Sequence, residues 1–266
     1  MESKLLRVGL IGYGAIGQEM ARLISKHFSE DILLVGALIR QTAVDRFPGP
    51  ILVTTHSALL AEHPQVVVEV AGHAGLREHG AAILRAGIDL LLVSTGALAD
   101  PAVMNELLEA AQIGGSQARV ISGAIGALDM LTALSFGGKI NRVQHTLRKP
   151  PKALLPSEES SQLTAMREVF YGNARQAVVQ FPEFLNVAAA VALASKGFDQ
   201  TEVRVIADPT VEQSVHEVLA EGPFGRLRFE VNYAPTGASI TPHATQLVAQ
   251  SIIRTLRVRQ MPFVIG

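Results

Sequence analysis

A glycine-rich turn near the start of the chain restricts the possible folds more than any other feature. The turn reads Gly12-Tyr13-Gly14-Ala15-Ile16-Gly17 and follows an apolar segment from Leu5 to Ile11. Apolar residues then recur at helical spacing up to Ser25. A G-x-G-x-x-G sequence between a strand and a helix is typical of the first βα unit of a dinucleotide-binding domain.

Each glycine of the turn has a separate task in such a domain. Gly12 permits the tight turn, Gly14 lets a pyrophosphate approach the backbone, and Gly17 lets the helix pack on the strand. The helix that begins around Ala15 and Ile16 offers free N–H groups and a partial positive charge to the phosphates. We therefore expect these five residues to bind a nicotinamide dinucleotide. The alternative is a tight turn that binds nothing.

Apolar runs alternate with helical segments through the first part of the chain. The strands predicted after the turn are short and rich in Val, Ile and Leu, and they cover residues 32–39, 66–70, 90–93 and 120–121. Helices are predicted at 76–86 and 101–112, the second with Asp100 as N-cap and Pro101 at the first helical position. This alternation predicts a Rossmann-type α/β domain, in which helices cover both faces of a parallel sheet.

The pattern changes after about residue 125. Strands are predicted at 143–147, 202–207 and 226–233, and the turn at 221–225 predicts a hairpin from 215 to 231. Apolar and charged residues alternate along the last strand, which indicates an antiparallel sheet with one face exposed to water. We expect this exposed face to form the contact of a homodimer.

Two helices and one loop complete the second half. The helices are predicted at 184–195 and 247–256, and the segment 150–161 is predicted to be a loop that serves as a mobile lid. We assign residues 1–122 together with 241–266 to the dinucleotide-binding domain. Residues 123–240 are assigned to a second α+β domain, with a largely antiparallel sheet, for catalysis, substrate binding and oligomerisation.

Composition excludes several classes of function. The 266 residues include no cysteine, so disulfides, thiolate nucleophiles and cysteine metal sites are excluded, and we expect no metal. The formal net charge of -1 argues against a nucleic-acid partner. No apolar run reaches the roughly 18–20 residues of a membrane span. We expect a cytoplasmic protein without a signal peptide or a membrane contact.

The residue after the second strand bears on which dinucleotide binds. NAD-specific domains carry an acidic residue at this position, about 20 residues past the turn, to bond the ribose hydroxyls. This chain has Arg40 there, with Arg46 nearby. Because a guanidinium pairs with a 2′-phosphate, we favour NADP, or use of both cofactors, over strict use of NAD. The alternative is that Arg40 is solvated.

Short segments at the ends of predicted strands and the starts of helices carry a resemblance to a known family. They read VEVAGH at 68–73, STGAL at 94–98, SGAIGALD at 122–129, RKP at 148–150, FPEFLNVAA at 181–189, ADP at 207–209 and GPFG at 222–225. In order and spacing, over nearly the whole chain, they resemble the L-aspartate dehydrogenase family.

The resemblance implies a reaction and assigns three site residues. The implied reaction is the reversible oxidation of L-aspartate by NAD or NADP. Its product, iminoaspartate, hydrolyses to oxaloacetate and ammonia or feeds NAD biosynthesis. His216 matches the catalytic histidine of the family, while Ala124 and Asn186 match contacts of the nicotinamide end of the cofactor.

The segment Ala71-Gly72-His73 follows a strand end as well. Because parallel sheets bind their ligands at the carboxyl ends of the strands, we expect these three residues to line the cofactor cleft.

The implied chemistry requires a base and a set of cations. Hydride leaves the aspartate Cα only when the amine is neutral, so His216 is expected to take the amine proton, or to activate the water that hydrolyses the imine, with a pKa near neutrality. Arg148 and Lys149 are candidates to pair with the two substrate carboxylates. Ser122 and Thr245 offer hydroxyl groups for further substrate contacts.

The chain departs from the family pattern at two places. Ser214 stands where the family often has Asn two residues before the catalytic histidine, and His243 stands where it often has Lys. Two alternative functions stay open on the sequence. One is a related reductase, similar to dihydrodipicolinate reductase or homoserine dehydrogenase, and the other is a dinucleotide-binding protein without catalysis.

Overall fold

A computed structural model describes residues 5–40, 49–234 and 242–265 of the chain. The chain divides into two compact units, Met1–Ala124 with Thr245–Gly266, and Ile125–Ala244. Within the described residues, no helix has the length and apolarity needed to cross a membrane.

The first unit is built on a six-stranded parallel sheet. Its strands are β1 (Leu6–Ile11), β2 (Ile32–Leu38), β3 (Ile51–Val53), β4 (Val66–Glu69), β5 (Asp89–Leu92) and β6 (Ala118–Val120). They lie in the order β3-β2-β1-β4-β5-β6, with every neighbouring pair parallel. This is the strand order of a dinucleotide-binding sheet, so the Rossmann-type prediction is confirmed. The short β3 lies outside the predicted strands.

In the described part of this unit, four helices lie between the strands. They are α1 (Ala15–His27), α2 (His56–Ala61), α3 (Gly72–Arg85) and α4 (Pro101–Gly114), and a 3-10 helix covers Thr95–Ala99. The start of α4 follows the predicted signals, since the Asp100 carboxylate accepts a hydrogen bond from the Ala102 N–H and Pro101 opens the helix. Helix α3 begins four residues before the predicted start at 76, and two residues separate it from the end of β4.

A five-stranded mixed sheet forms the centre of the second unit. Its strands are β7 (Arg142–Lys149), β8 (Arg167–Asn173), β9 (Glu202–Ala207), β10 (Val215–Gly222) and β11 (Gly225–Asn232), in the order β11-β10-β7-β9-β8. Only β7 and β9 run parallel, so the prediction of a largely antiparallel sheet is confirmed. The predicted hairpin is β10–β11.

The helices of the second unit include one segment that sequence analysis assigned to a loop. They are α5 (Leu128–Phe136), α6 (Ser157–Gln162), α7 (Ala174–Gln180) and α8 (Asn186–Leu193), with a 3-10 helix at Pro151–Ala153. The loop prediction for 150–161 is therefore wrong for most of its length. Pro150 precedes the 3-10 helix, which Pro151 opens, and Pro156 precedes α6. The first turn of α6 also has two acidic residues, Glu158 and Glu159, which favour helix formation there.

The last helix belongs for most of its length to the first unit. It is α9 (His243–Val258), and its buried face joins the apolar core between β1 and α1. Leu10, Met20 and Ile252 are fully buried there. At about 1.5–3 kcal/mol for each large side chain, burial of this kind attaches α9 to the core that β1 and α1 share.

Candidate active site

The glycine turn has the backbone geometry that a dinucleotide requires. Gly12 has φ +95°, and a Cβ there would lie 2.8 Å from the Ala71 Cα, so a side chain is excluded by strain and by contact. A Cβ on Gly17 would lie 3.1 Å from the Gly12 carbonyl oxygen, which shows how closely α1 packs on the turn. At Gly14 a Cβ would meet no described atom within 4 Å, so this position is open to an approaching group.

Helix α1 presents an electropositive start at the same place. Gly14 is its N-cap residue, and Ala15 follows as the first helical residue, exposed to solvent. The first four residues of α1, all of them described, include no acidic side chain, so nothing there repels an anion. Free N–H groups at a helix start bind phosphate. The turn therefore fits the pyrophosphate of a dinucleotide.

A buried carboxylate organises the neighbouring edge of the parallel sheet. Glu69, the last residue of β4, is fully buried, and its Oε1 accepts hydrogen bonds from the N–H groups of Ala71 (2.8 Å) and Gly72 (3.0 Å). Ser94 donates to the same carboxylate through its hydroxyl (2.8 Å) and its N–H (3.0 Å). Burial raises the Glu69 pKa, while these four hydrogen bonds oppose the rise. Glu69 thus holds the ends of β4 and β5 together.

The remaining cofactor candidates of the first unit lie along this edge. Gly72 has φ +85° and opens α3, with His73 as the second residue of the helix, half-buried. Arg40 is exposed two residues after β2, and the Gly12 N–H donates to Leu38 at the end of that strand. Arg46 lies outside the described residues.

His216 is buried in the second unit against another histidine. It lies on β10, and its Nδ1 is 3.1 Å from Nε2 of His145 on the adjacent β7. The rings stack at an interplanar angle of 26°. Burial and the positive charge of Lys149 lower the pKa of His216 from 6.5 to about 4. The expected pKa near neutrality is therefore wrong, because a buried imidazolium beside an ammonium is costly.

Lys149 and the Tyr233 ring lie beside His216. Lys149 is half-buried at the end of β7, and burial lowers its pKa. Its ammonium lies 4.1 Å from the centre of the Phe184 ring, a cation–π contact that restricts where the charge can go. The Tyr233 ring meets His216 edge-on, and burial raises the Tyr233 pKa to about 12. The fold thus brings Lys149, which is predicted to bind the substrate, close to His216, which is predicted to be catalytic.

Arg148 points away from this cluster. Successive residues of a strand face opposite sides of the sheet, and the pairing of Leu147 with His216 puts Arg148 on the other side. Its guanidinium donates to Asp208 (3.0 Å), whose carboxylate is fully buried. Burial opposes ionisation of Asp208, but hydrogen bonds from Thr210 and Arg148 outweigh it, so the Asp208 pKa is lowered. Arg148 therefore has a structural partner where the sequence predicted a substrate carboxylate.

The other predicted residues lie at the ends of helices and strands. The Ser122 hydroxyl is 2.9 Å from that of Ser251 on α9, which also accepts from the Gly123 N–H (3.0 Å). Thr245 lies in the first turn of the same helix. Asn186 is the first residue of α8, and Leu185 takes the N-cap position. Ala124 is half-buried.

Comparison with known proteins places the chain in a family. A family model described as "Aspartate dehydrogenase, C-terminal" matches residues 129–259, and one described as "Homoserine dehydrogenase, NAD binding domain" matches residues 12–120. An L-aspartate dehydrogenase of Ralstonia pickettii is 39% identical over 95% of this chain and 97% of its own length. One of Ruegeria pomeroyi is 40% identical over 97% of this chain and 94% of its own length. The chain belongs to the L-aspartate dehydrogenase family.

Solved structures agree with this membership of the L-aspartate dehydrogenase family. The crystal structure of aspartate dehydrogenase from Thermotoga maritima superposes with a TM-score of 0.80 and 26% identity, covering 99% of this chain and all of that one. A homoserine dehydrogenase from Thiobacillus denitrificans reaches a TM-score of 0.62 at 17% identity, covering 96% of this chain and 74% of its own. A dihydrodipicolinate reductase from Paenisporosarcina reaches 0.57 at 13% identity, covering 97% and 95%. These last two share the fold alone.

Three residues that the structure puts at the two sites of this family member have no role in the sequence-based predictions. They are Glu69, His145 and Tyr233. A glutamate that ends an otherwise apolar strand was a usable signal, because a buried carboxylate needs partners. His145 gave a weaker signal, since its contact with His216 spans 71 residues and depends on strand register.

Proposed function

We propose that this chain catalyses the reversible NAD(P)-dependent oxidation of L-aspartate to iminoaspartate, which hydrolyses to oxaloacetate and ammonia. The observation that carries the proposal is the buried His216 beside Lys149, in a chain of this family whose first unit has a dinucleotide-binding turn. A neutral base beside a fixed cation suits a substrate that has one amine and two carboxylates.

The cofactor is assigned to the first unit. Gly12, Gly14 and Gly17, with the N–H groups that start α1 at Ala15 and Ile16, would hold the pyrophosphate. The Ala71-Gly72-His73 segment, which Glu69 orders, would line the same edge. Ala124 and Asn186 are proposed to contact the nicotinamide end. A bound nicotinamide would supply the hydride acceptor for oxidation of the substrate Cα.

His216 is proposed to take the proton that the substrate amine must lose. With a pKa of about 4, its ring is neutral at pH 7 and has a nitrogen lone pair to offer. Substrate carboxylates near Lys149 would offset the charge that helps to lower this pKa, so binding would make His216 a stronger base. The alternative role is that the neutral ring activates the water that attacks the imine carbon.

Lys149 is the proposed partner of a substrate carboxylate. It shares a sheet face with His216, and its cation–π contact with Phe184 holds the ammonium in place. Arg148 has its buried partner on the other face, so its proposed contribution is to the order of the strand end. Ser122 and Thr245 remain candidates for hydroxyl contacts with the substrate.

NADP, or use of both cofactors, is the proposed preference. The exposed Arg40 after β2 supports it, because a guanidinium can bind a 2′-phosphate bidentately. We expect Arg40→Asp to weaken the binding of NADPH by about tenfold or more, the loss of a hydrogen-bonded charge pair, with a smaller change for NADH. Titration of cofactor fluorescence measures both constants, and equal changes would contradict the role of Arg40.

The wider setting is also a proposal. We place the enzyme in the cytoplasm, as a homodimer that supplies iminoaspartate to NAD biosynthesis. The charged face of the five-stranded sheet supports a dimer contact. Its Arg226–Glu221 and Arg228–Glu217 ion pairs lie on the side opposite His216. Sedimentation velocity of the purified chain tests the oligomeric state.

A steady-state assay tests the activity directly. Purified protein is mixed with L-aspartate or other amino acids, homoserine included, and with NAD or NADP, and absorbance at the reduced nicotinamide band is followed. His216→Ala is expected to lower kcat by at least about a hundredfold, the low end for loss of a general base, with NADPH binding unchanged. Turnover within a few-fold of the parent would refute the assignment of His216.

A further inference from the structure

His145, the histidine in contact with His216, has no role in the reaction proposed above. His145 is completely buried, and its Nδ1 has no hydrogen-bond partner among the described residues. Its other ring nitrogen, Nε2, is the one that lies 3.1 Å from Nδ1 of His216. A buried histidine with a single polar contact costs stability, so that contact calls for an explanation in function.

Strand register fixes the relation of the two rings. His216 lies opposite Leu147, and His145 lies opposite Val218, so the two histidines are diagonal neighbours on one face of the sheet. Both backbones are held by an antiparallel ladder that continues for seven residue pairs. Neither ring can turn away without losing the hydrogen bond in a buried place.

A single proton lies between the two facing nitrogens. A neutral imidazole has one N–H and one bare nitrogen, so one ring must donate and the other must accept. If His216 donates from Nδ1, its Nε2 carries the lone pair and can accept a proton from a substrate. If His145 donates instead, His216 carries its proton on Nε2 and has no lone pair left for the substrate.

We infer that His145 is a positioning residue that carries its own proton on Nδ1, accepts the Nδ1 proton of His216 at its Nε2, and thereby leaves Nε2 of His216 as the nitrogen that acts on the substrate. The inference rests on the proposed function, which needs a basic nitrogen on His216. It assigns to a neutral histidine the orienting task that a carboxylate performs in many catalytic triads. A carboxylate beside His216 would stabilise the imidazolium, whereas a neutral partner beside Lys149 keeps the ring uncharged until substrate binds.

The groups that face the pair support a neutral arrangement. Lys149 is the cation next to His216, and Tyr233 meets its ring edge-on with a pKa raised to about 12, so this phenol stays protonated. Burial and the neighbouring His216 lower the pKa of His145 far below its usual range. Both rings are thus uncharged at neutral pH, as a shared single proton requires.

Two substitutions of similar volume test the role. His145→Leu removes the acceptor, while His145→Gln keeps an amide oxygen that can accept from His216. We expect His145→Leu to lower kcat for L-aspartate by about thirtyfold, less than the hundredfold or more for loss of the base itself, with KM changed less than about threefold. His145→Gln is expected to recover most of this loss. Equal losses in both variants, or no loss in either, would overturn the inference.

Nitrogen-15 NMR of the histidine rings provides a readout that a merely structural role would not move. In the parent protein His216 should show a protonated Nδ1 and a bare Nε2, and in His145→Leu it should show a mixture of both tautomers. A parent His216 protonated on Nε2 would overturn the inference. Because this measurement needs no substrate, it stands even if the parent fails to oxidise L-aspartate, which would count against the proposed function alone. Circular dichroism and NADPH binding verify that both variants fold.

Discussion

Burial of His216 makes the stability of the protein depend on pH in a direction that can be worked out. The pKa is 6.5 for an ordinary histidine and about 4 for His216 in the folded protein. Between these values the unfolded chain binds the proton and the folded chain does not, so stability falls as the pH decreases from 7 towards 4. A pH of 5 is 1.5 units below the pKa of the unfolded histidine. At about 1.4 kcal/mol per unit, the free energy of unfolding is therefore lowered by about 2 kcal/mol.

A matched variant separates this residue from the other titrating groups. His216→Asn removes the titration, while its amide can still reach His145 in place of the ring Nδ1. Because the chain has no tryptophan, urea unfolding is followed by far-UV circular dichroism, at pH 7, 6 and 5. We expect the parent to lose about 2 kcal/mol more than the variant between pH 7 and pH 5. Parallel pH dependences of the two proteins would refute the argument that burial and Lys149 depress this pKa.

Three further substitutions follow from single contacts. Gly12→Ala forces a side chain into a positive-φ turn with no room for a Cβ. We expect the free energy of unfolding to fall by about 1–3 kcal/mol, measured by thermal denaturation, and NADPH binding to be lost. Glu69→Gln turns one oxygen into an NH₂ group that faces an N–H donor, which should cost about 1–3 kcal/mol by urea unfolding; an unchanged midpoint would contradict the buried network. Arg148→Met leaves Asp208 without its cation and should cost about 2 kcal/mol. The KM of Arg148→Met for L-aspartate should rise much less than the KM of Lys149→Met. A larger rise in Arg148→Met would contradict the assignment of Lys149 to the substrate carboxylate.

Features that depend on a few neighbouring residues were predictable from the sequence. The glycine turn, the alternation of strands with helices, and the hairpin of β10 and β11 are local patterns, so their periods and turn residues identify them. The short β3 and the helix α6 were missed because segments of three to six residues have too few apolar positions to show a period.

The roles of the charged and titratable residues depend on distance in space and were only partly predictable. His216 was found through its family resemblance, but its pKa was misjudged because burial and the charge of Lys149 come from the folded sheet. The Glu69 network joins residues 25 apart, and no local pattern connects them.

The chain's sequence by itself determined a dinucleotide-binding turn, an α/β first domain and the residue types available for chemistry, because these follow from local backbone and side-chain preferences. Tertiary structure decided which of those residues meet. Alternation along β7 means that Arg148 and Lys149 face opposite sides of the sheet, but only the register with β10 decides that Lys149 shares a face with His216. The same register brings His145 to His216, because hydrogen bonding between strands converts separation along the chain into contact across a sheet.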